Sequence, residues 1–166
     1  MGIRLVLADD DRPPVPEHYS IGSDQVARIY LGDDEHGLIY SIIVCFSPLP
    51  GYEDLNGREL SFFIQQCAPD GTELHTYHDG SVTRHILDTT EKRRIVLGAM
   101  ISCVEALIIK FAPSICHMFT YEPNQPKTAL RKFHKIVGIF EDHGYDCAES
   151  DPHYGRYTWR MQAPEG

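Results

Sequence analysis

The chain has 166 residues, 42% apolar and 23% charged, with a formal net charge of −9 at neutral pH. That composition belongs to one globular domain with a sizeable core and excludes disordered and fibrous classes. The longest apolar run, Ile95 to Ile109, is 15 residues and contains Gly98, Ser102 and Glu105; a membrane-spanning helix needs roughly 20 mostly apolar residues.

The opening Leu5-Val6-Leu7-Ala8 is too short for a secretory leader, and Val6 stands where a myristoylation motif has Ser or Thr. The five cysteines are odd in number and mostly inside apolar runs. They read as reduced core thiols, and the expected location is cytoplasmic. Charge is uneven: residues 1–60 carry 11 acids and 4 bases, whereas residues 84–135 carry nine bases and four acids. The acidic total disfavours nucleic acid, since like charge repels the phosphate backbone. The local excess of bases leaves room for one small phosphorylated ligand.

Ile3 to Leu7 reads as a short strand. Residues 9–25 form an acidic, Pro-rich segment, and Pro13, Pro14 and Pro16 keep Asp9 to Pro16 out of regular helix or central strand. Val26 to Leu31 and Leu38 to Phe46, rich in β-branched and aromatic residues, read as a hairpin across Gly32 to Gly37. Leu60 to Cys67 is the next strand, and Pro69-Asp70-Gly71 turns it. Leu74 to Tyr77 and Ser81 to Leu87 flank His78-Asp79-Gly80, a hairpin signal. Asp88-Thr89-Thr90-Glu91 then starts a helix that runs to about Phe111, apolar on nearly every side and expected to be central and buried. Pro113 ends it. Ile115 to Thr120 is a short interior strand, placed between two helices to pair parallel with a neighbour. Asn124-Gln125-Pro126 opens a second helix, amphipathic, with Leu130, Phe133, Val137 and Phe140 on one face and Lys127, Arg131 and Lys135 on another. Arg156 to Gln162 alternates as a half-buried closing strand. The expectation is a single α+β domain over residues 1–166, with both helices covering a mostly antiparallel mixed sheet of about six or seven strands.

This order of elements resembles the GNAT (N-acetyltransferase) superfamily over roughly residues 26–162. Ile3-Arg4-Leu5-Val6-Leu7 is similar to the family's first strand, and Phe140-Glu141-Asp142-His143-Gly144-Tyr145 to the run that ends its second helix. Arg93-Arg94-Ile95-Val96-Leu97-Gly98 resembles the phosphate-binding [Gln/Arg]-x-x-Gly-x-[Gly/Ala] motif, with Val96 in place of the middle glycine. The interval that usually holds two acceptor-shaping helices holds only the segment 9–25. The resemblance implies a protein that binds acetyl-CoA or a related phosphorylated ligand, either as an N-acyltransferase acting on an amine or as a scaffold that has lost transfer. It implies that Arg93, Arg94 and Gly98 cradle phosphate, that Arg131 with Lys127 and Lys132 takes a further phosphate, and that Asn124 orients the ligand. Tyr121 and His134 are the implied proton donors to the leaving thiolate.

No general base stands out, since Glu59 and Glu73 border strands as surface acids commonly do. The nine histidines raise the question of a metal. Their best grouping, His75-x-x-His78 with His85, lacks an acid or cysteine to complete a tetrahedron, so no metal is expected. Glu105, inside the apolar helix, is expected at that helix's exposed edge or, if buried, beside a base. The alternative to a coenzyme scaffold is a non-enzymatic binding or inhibitor protein whose acidic N-terminal region engages a basic partner, with no cofactor at all.

Overall fold

Strand periodicity of two puts alternate side chains of each strand on opposite faces, and here one face carries almost the whole core. The computed structural model describes residues 2–7, 14–78, 80–120, 125 and 127–164. Among them, nine strands form one mixed sheet: β1 (Arg4–Leu5), β2 (Glu17–Ile21), β3 (Asp24–Asp33), β4 (Ile39–Pro48), β5 (Gly57–Cys67), β6 (Glu73–Tyr77), β7 (Ile115–Phe119), β8 (Asp146–Glu149) and β9 (Thr158–Gln162). The spatial order is β1-β3-β4-β5-β7-β9-β8, with β2 added to β3 and β6 added to β5. Every pairing is antiparallel except β5 with β7, which is parallel.

Three helices lie on the core face: α1 (Gly80–Ile86), α2 (Thr90–Phe111) and α3 (Arg131–Asp142). α2 packs on β3, β4 and α3, while α3 packs on β8 and β9. The α2 stripe Val96, Ala99, Met100, Cys103, Val104, Leu107 and Ile108 is buried against Ala27, Ile29, Leu31, Ile42, Val44 and Phe46 of the sheet. Its 3–4 spacing is that of a helix with one buried side. The opposite side presents Arg94, Gly98, Ser102, Glu105 and Ile109, and Ile109 is 65% exposed. α2 is therefore not buried all round as its composition suggests, and Glu105 falls on the outer stripe, at the helix's exposed edge.

The ends of α2 are set locally. The Thr89 side chain accepts from Lys92 N at 3.1 Å, filling one of the donors that a helix start leaves open. At the other end Ala112 adopts a left-handed conformation, and Asn56 Nδ2 donates to the Phe111 and Ala112 carbonyls at 3.3 and 3.4 Å. Pro113 follows at once.

Residues 81–87 differ from the expected strand: they lie in and just after α1. The hairpin mate of β6 is β5, joined through the turn at Pro69-Asp70-Gly71, so no second mate is needed. The chain instead runs to the start of α2 as a short helix, with its backbone hydrogen bonds made internally and Ile86 and Leu87 reaching the core. Leu87 is buried behind it, and Ile86 O accepts from Ile3 N at 2.8 Å, tying the first strand to the crossover. β2, within the segment 9–25, and β8 raise the strand count above the expected six or seven. β1 stays in place because residue 32 is glycine: a Cβ there would be driven into the Arg4 carbonyl oxygen.

Replacing Thr89 with Ala should cost about 1 kcal/mol, seen as a melting temperature lower by roughly 2–4 °C. Thr89→Ser should restore most of it. An unchanged melting temperature in Thr89→Ala would mean that the cap contributes nothing.

Candidate functional site

β5 is where the sheet divides. Along one edge it pairs with β4 from Arg58 to Cys67. Along the other it pairs with β7 at only three positions, Gly57↔Ile115, Arg58↔Cys116 and Glu59↔His117, and with β6 from Ile64 to Cys67. Residues 60–63 pair with neither on that edge. The two parallel strands thus part just beyond Glu59 and His117, leaving a wedge with side chains on both faces.

On the core face the wedge is filled by rings. Phe62 meets Phe133 at 5.4 Å between centroids, Phe133 stacks on Trp159 at 4.9 Å, and Tyr157 lies 6.1 Å from Trp159. Trp159 is 2% exposed. Lys132 Nζ sits 5.5 Å from both the Phe62 and the Phe133 ring centroids, a distance at which an ammonium is attracted to a ring face. These contacts put the first turn of α3 at the wedge. The sequence from Lys127 to Phe140 holds four bases and His134 and no acid, and α3 has no side-chain cap at its start. A 3-10 turn, Lys127–Leu130, leads directly into α3, and Leu130 is itself helical, so what this segment offers an anion is its cluster of cations.

On the opposite face the last paired residues bring polar groups into a row. Register places Ser47, Glu59, His117, Arg160 and Ala148 side by side on β4, β5, β7, β9 and β8. The Tyr52 ring, from the β4–β5 loop, lies 6.1 Å from the His117 ring. Next to this row Val26, Ile43 and Cys45 form a small apolar cluster with Tyr19 and Phe63. His117 Nε2 is buried and has no hydrogen-bond partner among the described residues. Burial first, and the neighbouring Arg160 second, hold the His117 imidazole below its ordinary pKa of 6.5, so it is neutral at pH 7.

The residues implied by the motif stand elsewhere. Arg93 is turned back on its own helix start, donating to Leu87 O at 2.9 Å and Thr90 Oγ1 at 3.3 Å. Arg94 Nη2 lies 3.8 Å from Glu91 Oε1 on the surface. Gly98 is exposed in the body of α2, nine residues into it, with open space beside its Cα. Val96 is in the core. The motif is thus already helical along its length, and its glycine N–H is committed to the helix ladder. The groove nearby, about 530 Å³ between β1 and the first turn of α2, is lined by Gly2, Arg4, Leu5, Thr89, Glu91 and Lys92 among others, and not by Arg93, Arg94 or Gly98. Its cations are paired, Lys92 with Asp88 at 2.8 Å and Arg4 with Asp33 at 3.0 Å.

His134 stands exposed on α3 with its ring edge-on to Trp159 at 5.9 Å, and Arg131 is exposed one turn earlier. Those two predicted residues share the wedge with each other and not with the start of α2. Tyr121 and Asn124 lie outside the described residues. Among the described residues no group of three or more His, Cys, Asp or Glu side chains could hold a metal ion. Sequence reading passed over His117 and Arg160, because each is one polar residue in an alternating strand. Only their register against Glu59 brings them together.

No family model, no curated protein and no solved structure matches this chain.

Two outcomes follow. Arg93→Ala should lower the melting temperature by removing the two hydrogen bonds at the α2 start, of which the part-buried one to Leu87 O is worth up to about 1.5–3 kcal/mol for a charged donor. His18, His78 and His117 are each held below 6.5, burial being the larger cause in all three. The folded chain therefore binds fewer protons than the unfolded chain as pH falls through and below 6.5, and stability falls with it. Urea midpoints at pH 7 and pH 5 should show that loss, and it should be smaller in His117→Gln. Equal losses in both proteins would remove His117 from the account.

Proposed function

We propose that the chain is a GNAT-like scaffold that binds an acyl-CoA or a related phosphorylated ligand at the wedge between β5 and β7. The observation that carries this reading is the parting of a parallel strand pair after three residues, within a sheet that runs antiparallel on either side of it. The start of α2 does not fit a pyrophosphate, because Arg93 is engaged with its own helix start and Gly98, nine residues into the helix, has its N–H in the helical ladder. The start of α3 fits one better, because Arg131, Lys132 and Lys135 supply charge there with no acid among residues 127–140. The ligand's phosphates belong there in this reading. Acyl transfer to an amine further needs a group that takes a proton, and the neutral His117 imidazole with Glu59 beside it stands where the strands part.

The other reading, capture of a basic partner by the acidic N-terminal region, has fewer free carboxylates than the sequence suggests. Asp33 is paired with Arg4. Asp34 accepts from His36 N, Leu38 N and the Tyr40 hydroxyl at 2.9, 3.0 and 2.8 Å. Asp9, Asp10 and Asp11 lie outside the described residues.

Thermal unfolding with and without millimolar acetyl-CoA tests the proposal. A ligand at about 100 times its dissociation constant stabilises a fold by about 2.7 kcal/mol, several degrees for a chain of this size. Arg131→Ala should remove most of the shift. Arg93→Ala should keep it from a lower baseline. A well-folded protein with no shift would refute the coenzyme reading.

A further inference from the structure

The row on the open side of the wedge is a complementary pair of charges held apart by a neutral imidazole. Glu59 and Arg160 flank His117 on the two neighbouring strands. Strands are spaced about 4.8 Å apart, so the two outer residues are about 10 Å apart at Cα. They do not pair with each other or with any other charged group among the described residues. Among the described residues the Arg160 guanidinium donates only to Gln162 Oε1, at 3.4 Å. Between them His117 Nε2 is buried with no partner, and a buried polar atom left unmatched is costly unless something completes it. Tyr52 bounds the row at the β4–β5 loop and the Tyr19, Val26, Ile43 and Phe63 cluster adjoins it.

We infer that this row recognises a small molecule carrying both an amine and a carboxylate, with the amine at Glu59 and the carboxylate at Arg160, lying across His117. A cation alone would meet Arg160, and an anion alone would meet Glu59. Only a ligand with both charges in the same order satisfies the row. The guanidinium supplies a fork that matches a carboxylate in two hydrogen bonds. The inference rests on the same vertex as the proposed function and names the class of acceptor, but it does not require a coenzyme.

The test is binding in the absence of acetyl-CoA. Glycine, 4-aminobutyrate and 6-aminohexanoate are titrated against the whole chain beside hexylamine and hexanoate, following the His117 imidazole by NMR, assigned with His117→Gln. At least one amino-carboxylate should bind about tenfold or more tighter than both single-charge controls, the margin expected when a built polar site loses a partner. Glu59→Gln should abolish its advantage over hexanoate, and Arg160→Met its advantage over hexylamine, with melting temperatures confirming that both variants fold. Hexylamine binding as tightly as the best amino-carboxylate would overturn the assignment, as would an advantage that survives both variants. So would a His117 signal that no compound moves. A coenzyme shift without amino-carboxylate binding would remove this inference and leave the scaffold reading standing. The reverse would remove the scaffold reading alone.

Discussion

Much of this fold depends on how one strand edge is shared. β5 has eleven residues, and its β4 side is paired almost throughout, whereas its other side is divided between a parallel partner at the start and an antiparallel one at the end. The two partners run in opposite directions and stop short of each other, so four residues of β5 are left without a ladder on that side. A central strand with unpaired backbone has its N–H and C=O groups satisfied by side chains, water or a ligand. Here rings from β5, α3 and β9 occupy one face of that gap, while Glu59, His117 and Arg160 stand at its apex on the other. Both halves of the candidate site follow from this division.

The helices enforce the arrangement from one side. α2 spans β3 and β4 and contacts α3, which in turn covers β8 and β9. The part of the sheet built from residues 115–162 is thus joined to the earlier part by three backbone pairs and by helix packing. Tyr145 adds a buried link, its hydroxyl donating to Pro113 O at 2.7 Å. Because the apolar surface is concentrated on the helical face, the other face is free to carry the polar row and a small apolar cluster.

Element type was legible wherever burial has a single period. The β-branched and aromatic enrichment of β3 and β4, the alternation in β9 and the 3–4 spacing in α3 read directly, as did the capping Thr89 and the parallel placement of β7. The α+β class followed from them. Residues 81–87 misled because His78-Asp79-Gly80 is a good local turn, whereas the mate of β6 is chosen by a different turn nine residues earlier. α2 misled because apolar residues on its outer stripe, such as Ile109, make its composition look uniform. Arg93 carried a motif by spacing alone, and spacing cannot reveal that a guanidinium folds back onto its own helix. His117 and Arg160 were illegible for the opposite reason, since their association is a matter of register between strands far apart in the chain.

The two margins of the sheet bear on how copies of the chain behave at high concentration. β8 is four residues long, with exposed Asp146 and Glu149, and β2 is five residues long and opens with exposed Glu17. Short, negatively charged edge strands are poor templates for adding a strand from another molecule. With a net charge of −9 behind them, like margins repel before their backbones meet. The protection is electrostatic rather than steric, so salt screens it and acid removes it. Colloidal stability in this protein is therefore a property of the solvent as much as of the fold.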